Sequence, residues 1–331
     1  MQQLGRVIPT MKLRVEIGDL NTNQMIIMRN IYDLSLPAFM KHLAISGMDH
    51  MPKLYKFTRF IGMSFLYWEF LRDFSKNKFS KPLSGDPTFK GHFSNLAGLA
   101  IADFLVRRID NATHTFNFES ITGIQNKKRP DLIAINTQNY NALFVESKGW
   151  SKTSVTTGDI YDTKQQTISA ISKIRHINLP LNKYKAKHFT VTKGVASISY
   201  GLYSKVRAKY YDPEFPKIEL GYELIERIIK EYYKGILDIA QSNSIVLEEH
   251  TPVYKFDIIR TKLAQVPWSL IVPHNLNKII RREIEEITFK SIEELSEKEA
   301  YYIDTDGIGI YVDLEKFKKG LTWITPTKLT R

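Results

Sequence analysis

The chain has 331 residues, 43% hydrophobic and 12% aromatic, a composition that builds packed cores and excludes a disordered protein. It contains no Cys, which excludes disulfides, zinc–thiolate sites and cysteine nucleophiles. A net charge of +12 directs attention to polyanionic partners.

The first residues lack the apolar core of a signal peptide. Met11–Ile17 alternates as a strand does, and Leu54–Phe74 reads as an amphipathic helix. Its apolar patch, Phe60–Trp68, stops at Glu69 and is too short to span a bilayer, so a cytoplasmic protein without membrane contact is expected. Asn77–Thr88, with Pro82, Gly85 and Pro87, reads as a linker closing an aromatic-rich unit at residues 1–90. Ser94–Leu105 has helical periodicity, with small residues suited to close packing. His114–Glu119 is expected to be a strand, with Glu119 as a further carboxylate.

Asp131–Asn136 and Ala142–Gly149 then read as two short apolar strands joined by a turn at Gln138–Asn141. Strand alternation points Glu146 and Lys148 to one face and Val145 and Ser147 to the other. Asp131 opens the neighbouring strand. Burying such charges without partners costs several kcal/mol, and a divalent cation between the carboxylates would offset that. A second Asp-x-Lys, at Asp162-Thr163-Lys164, leads into a helix and lacks the strand context. That helix is predicted to start near Thr163, with Ile168, Ile171 and Ile174 on one face, and Lys187–Ser199 to form a further strand or hairpin.

Between Asp162 and Asp212 there is no Asp or Glu, while the 49 residues carry ten Lys or Arg. Such a block suits a phosphate backbone, with contacts expected from Lys127, Lys128 and Arg129 before the strands and from Lys164, Lys183, Lys185 and Lys187 after them. Tyr184, Phe189, Tyr200, Tyr203, Tyr210 and Tyr211 are interleaved and could stack on bases. Residues 212–331 are net acidic and begin with a helix at Leu220–Ala240. Asp304-Thr305-Asp306-Gly307 lacks the spaced oxygens and closing Glu of a calcium loop, so it is read as a hairpin turn. His274 is read as structural, and no nucleotide-binding loop is visible.

Pro130-Asp131 with Glu146-Ser147-Lys148 resembles the PD-(D/E)xK nuclease superfamily, over Gly91 to Tyr211, about a third of the chain. The resemblance implies an α/β fold: a restriction-endonuclease-like core with a small mixed sheet flanked by helices at 91–211. Mixed α/β extensions would occupy 1–90 and 212–331. It implies that Asp131, Glu146 and the Ser147 carbonyl hold Mg²⁺, with Mn²⁺ as substitute, and that Lys148 orients the attacking water. Superfamily members often add an acidic residue on the preceding helix. Asn95 stands where some have Glu, and Asp103 is the acidic alternative. Many members also have a Gln or Lys at the start of the following helix that reaches back towards the site, for which Lys164, Gln165 and Gln166 are the alternative candidates. The implied activity is metal-dependent cleavage of DNA in preference to RNA, in restriction or antiviral defence, alone, as a homo-oligomer or with a protein partner. The alternatives are a silent nucleic-acid binder and a nuclease subunit of a larger assembly.

Overall fold

The computed structural model describes residues 9–19, 27–47, 60, 68–82, 85–118, 130–174, 187–212, 217–242, 256–259 and 266–324. Among these, β1 (Thr10–Asp19), β2 (Met28–Ser35), β3 (His114–Asn117), β4 (Leu132–Asn136), β5 (Asn141–Trp150), β6 (His188–Tyr200) and β7 (Arg207–Asp212) form one sheet. Their order is β2-β1-β7-β6-β5-β4-β3, and β8 (Ile218–Gly221) pairs with β6. The β1–β7 and β5–β6 pairs are parallel and the others antiparallel. A second, antiparallel sheet of β9 (Phe256–Ile259), β10 (Trp268–Pro273), β11 (Ile292–Leu295), β12 (Glu299–Ile303) and β13 (Gly309–Asp313) runs β11-β12-β13-β10-β9. Helices α1 (Leu36–Ile45), α2 (Pro87–Ile109), α3 (Thr157–Ile174), α4 (Tyr222–Ser242), α5 (Leu276–Ile279) and α6 (Leu314–Ile324) complete a mixed α/β architecture. No described helix is long and apolar enough to cross a membrane.

The expected divisions at residues 90 and 211 mark no break in sheet or core. β1 pairs residue for residue with β7, and one apolar cluster runs from Met11 to Phe317. The first part of the expected linker is packed: Phe79 and Ser80 are buried, and their N–H groups donate to Leu202 O at 2.8 Å and Phe70 O at 2.9 Å, while residues 85–88 are exposed. Of the helix expected over Leu54–Phe74, residues 54–59 and 61–67 lie outside the described residues, and Trp68–Lys76 is a 3-10 helix.

Two elements fix the geometry around β5. Helix α2 begins where Asp86 accepts from Thr88 N at 2.8 Å, with Pro87 supplying the first turn's preset φ. It then crosses β5 at backbone contact: a Cβ on Gly149 would sit 1.8 Å from Ser94 O, and one on Gly98 2.5 Å from Gly149 N. Only glycine fits either position. Gly149→Ala is therefore expected to cost about 3 kcal/mol or more, since the obstruction is backbone and cannot rotate away. Urea unfolding would check it, and a loss below about 1 kcal/mol would mean that α2 lies further from β5. On the opposite face, Ile160 of α3 is buried with Ala196, Ile198 and Tyr211.

A buried ion cluster ties distant segments together. Lys41 Nζ of α1 donates to Asp304 Oδ2 at 2.8 Å and Asp306 Oδ2 at 2.9 Å, in the turn between β12 and β13. Arg107 of α2 donates to Asp103 Oδ1 at 2.9 Å and Asp306 Oδ2 at 3.0 Å, and lies 3.2 Å from Asp304 Oδ2. The segment is a hairpin turn, as its sequence indicates, with Gly307 at φ 75°. Its two carboxylates are buried all the same.

Candidate active site

Asn136 builds the turn that sets the β4–β5 register: its Oδ1 accepts from Gln138 N at 2.9 Å and Asn139 N at 3.2 Å, and Tyr140 takes a left-handed φ of 56°. The resulting pairs, Leu132 with Val145 through Asn136 with Asn141, bring Asp131 to the level of Glu146 just before β4 begins. Asp131 N donates to Val145 O at 3.0 Å.

The three motif residues share this corner. Ser147 N and Oγ donate to Asp131 Oδ2 at 2.8 and 2.7 Å, which fixes that carboxylate. Because N–H and C=O of one strand residue leave on the same edge, the Ser147 carbonyl is directed to the Asp131 side. Lys148 Nζ donates to Glu146 Oε1 at 2.6 Å; the Glu146 side chain is 4% exposed and that of Lys148 29%. Glu146 Oε2 is buried without a hydrogen-bond partner. Burial first, and the Asp131 charge second, push the Glu146 carboxyl up to about 8 against the pull of the Lys148 ammonium. The corner is short of positive charge. A hard divalent cation is what two carboxylates and a carbonyl oxygen accommodate, so the donor set fits Mg²⁺ or Mn²⁺.

Asp103 does not join them. It accepts from His42 Nδ1 at 2.9 Å, Thr115 Oγ1 at 2.8 Å and Ser46 Oγ as well as from Arg107, all within the buried cluster. No three Asp, Glu or His residues converge as a metal group among the described residues. The reason is helical spacing: Asp103 lies eight residues beyond Asn95, about 12 Å along α2. Asn95 instead lines a cleft of about 570 Å³ with Lys90, Gly149, Trp150 and Lys152, at the C-terminal end of β5.

Helix α3 starts at Thr157 rather than near Thr163, because Thr156 and Asp159 cap each other: Asp159 Oδ2 accepts from Thr156 N at 2.8 Å and Thr156 Oγ1 accepts from Asp159 N at 3.2 Å. Lys164, Gln165 and Gln166 are therefore about two turns into the helix, with Gln165 exposed and the other two half-buried.

The expected phosphate contacts are divided. Lys127, Lys128, Arg129, Lys183 and Lys185, with Glu119 and Tyr184, lie outside the described residues. Lys187 is paired with Glu285 at 2.9 Å, Lys193 with Asp110, and Lys209 with Glu16 at 2.9 Å. The acid-free block is thus partly neutralised by acids distant in sequence. Phe189, Tyr200, Tyr210 and Tyr211 are buried and are core residues rather than stacking platforms. His274 pairs with Asp257 at 2.9 Å.

Lys90 and Lys152 were not legible as site residues. Lys152 Nζ sits 3.9 Å above the Trp150 ring and 2.5 Å from Asp159 Oδ1. Lys90 carried one signal, a cation in the first turn of a helix, where the dipole disfavours it. No protein-family model, curated protein or solved structure matches the chain significantly.

Proposed function

We propose that the protein is a metal-dependent nuclease that hydrolyses phosphodiester bonds of DNA, serving restriction or antiviral defence. The observation that carries this reading is the buried, partnerless Glu146 oxygen beside Asp131, with the Lys148 ammonium on the same corner. The order α2, β3–β4–β5, α3, β6 places one helix before the Asp131–Glu146 hairpin and another after it, an arrangement that supports the same reading.

Asp131, Glu146 and the Ser147 carbonyl would hold Mg²⁺, which when bound polarises a phosphate oxygen and acidifies a water. Ser147 holds the Asp131 carboxylate in place through two hydrogen bonds. Lys148, fixed against Glu146 yet partly open to solvent, stabilises negative charge developing on the attacking oxygen or the phosphorane. Apolar β4 and β5 keep water from the inner side of Glu146, which strengthens each of these interactions.

Plasmid and single-stranded DNA incubated with the purified protein should be cut in Mg²⁺ and not in EDTA. Asp131→Asn, Glu146→Gln and Lys148→Met should each lower the rate by at least ~10²-fold, and the triple variant should fall little further, since the groups act as a unit. A Lys148→Met protein that cuts at the wild-type rate would remove the mechanism.

A further inference from the structure

Strand pairing gathers cations on one open part of the main sheet. Cross-strand partners share a face, so the registers define rows. One runs Trp150, Tyr200, Arg207, Arg14, Ile31, and the next Lys148, Ile198, Lys209, Glu16, Arg29. The basic residues of β1, β2 and β7 therefore lie on the same face as Glu146 and Lys148. Helix α3 covers the Ile198 position, while Lys12, Arg14, Arg29 and Arg207 are exposed. Arg14 and Arg207 stand directly opposite each other, and among the described residues neither has an ion pair. Like charges in that relation are destabilising on their own. Glu16 is already shared by Lys209 at 2.9 Å and Arg29 at 3.5 Å, and Asp33 lies opposite Lys12. Five cations face two anions, an excess that an external polyanion would compensate.

We propose that the outer face of β1, β2 and β7 binds the phosphate backbone of a DNA duplex flanking the cut site. The identity of the polyanion rests on the nuclease reading. Three strand spacings, about 14 Å, separate β5 from β1. A duplex advances about 3.4 Å per phosphate on each strand, so Arg207, two strand spacings from β5, would meet a phosphate about three steps from the scissile one, and Arg14 one about four steps away. None of these residues belongs to the basic block that sequence alone favoured, apart from Arg207 and Lys209.

The test measures the affinity of the full chain for a short duplex in EDTA across about 50–300 mM salt. Arg14→Gln/Arg207→Gln should make the slope of log affinity against log salt shallower by about two, with an unchanged or higher melting temperature. Lys234→Gln/Lys316→Gln removes two exposed charges elsewhere and should leave the slope alone. An unchanged slope in the arginine variant, or an equal change in the lysine variant, overturns the proposal. Tighter binding of a single strand of the same length overturns the duplex assignment. Plasmid cleavage in Mg²⁺ separates the two readings. Cutting with an unaltered slope would refute this surface alone, whereas an altered slope without cutting would refute the nuclease.

Discussion

Glu146→Gln is expected to abolish cleavage and yet, in metal-free buffer at pH 8, to make the protein harder to unfold. In the fold the carboxyl keeps its proton up to about pH 8, whereas its ordinary value is 4.5. Between those values the native state holds a proton that the unfolded chain has lost. Wild-type stability should therefore decline with rising pH by roughly 1.4 kcal/mol per unit from this residue, and level off above pH 8. Gln keeps the shape without the charge, so at pH 8 the variant should be the more stable by about 2–4 kcal/mol. Saturating Mn²⁺ should reverse the ranking by stabilising only the wild type, through mass action. Urea titrations of both proteins at pH 5 and pH 8, with and without Mn²⁺, compare them under all four conditions. Parallel pH profiles for the two proteins would mean that Glu146 is hydrated and ionised, and the metal site would lose its main support.

Lys41→Met should be among the most damaging substitutions in the chain. Met replaces the stem but leaves the buried Asp304 and Asp306 carboxylates with one cation fewer. Removing one member of a buried ion group typically costs about 3–5 kcal/mol, a large share of the ~5–15 kcal/mol by which domains are stable. Adding Asp306→Asn should recover part of the loss, because it removes the charge left unmatched. The double variant should then be at least ~0.5 kcal/mol more stable than the summed single effects allow. Strict additivity would show that the two side chains do not share one cluster.

The hairpin that carries Asp131 and Glu146 was legible because its signals are local. Apolar alternation set the facing of Glu146 and Lys148, and Gln138–Asn141 supplied the turn. The α2–β5 contact was half legible: the small residues of α2 announced close packing, but not that Gly149 would meet Ser94 O. The buried ions were hidden because Asp103, Arg107, Asp304 and Asp306 look like surface charges when read singly. One sign was available in Leu36–Ile45, a ten-residue run in which Lys41 and His42 are the two polar residues; the structure buries all ten. Part of the basic block is neutralised for a related reason: charge along the chain is not charge in space, and Glu285, Asp110 and Glu16 return to meet Lys187, Lys193 and Lys209.

The parallel pairing of β1 with β7 also has a temporal side. Arg14 and its partner Arg207 are separated by 193 positions in the chain. Translation at about 5–20 residues per second leaves β1, already able to pair with β2, waiting roughly 10–40 s before its other neighbour, β7, is made. Asp304 and Asp306, which hold Lys41 and Arg107, arrive later still. A nascent chain thus carries the Glu146–Lys148 hairpin well before the strands and ions that brace it exist. The corner that gathers Asp131, Glu146 and Lys148 is therefore fully braced only after Asp306 has been made.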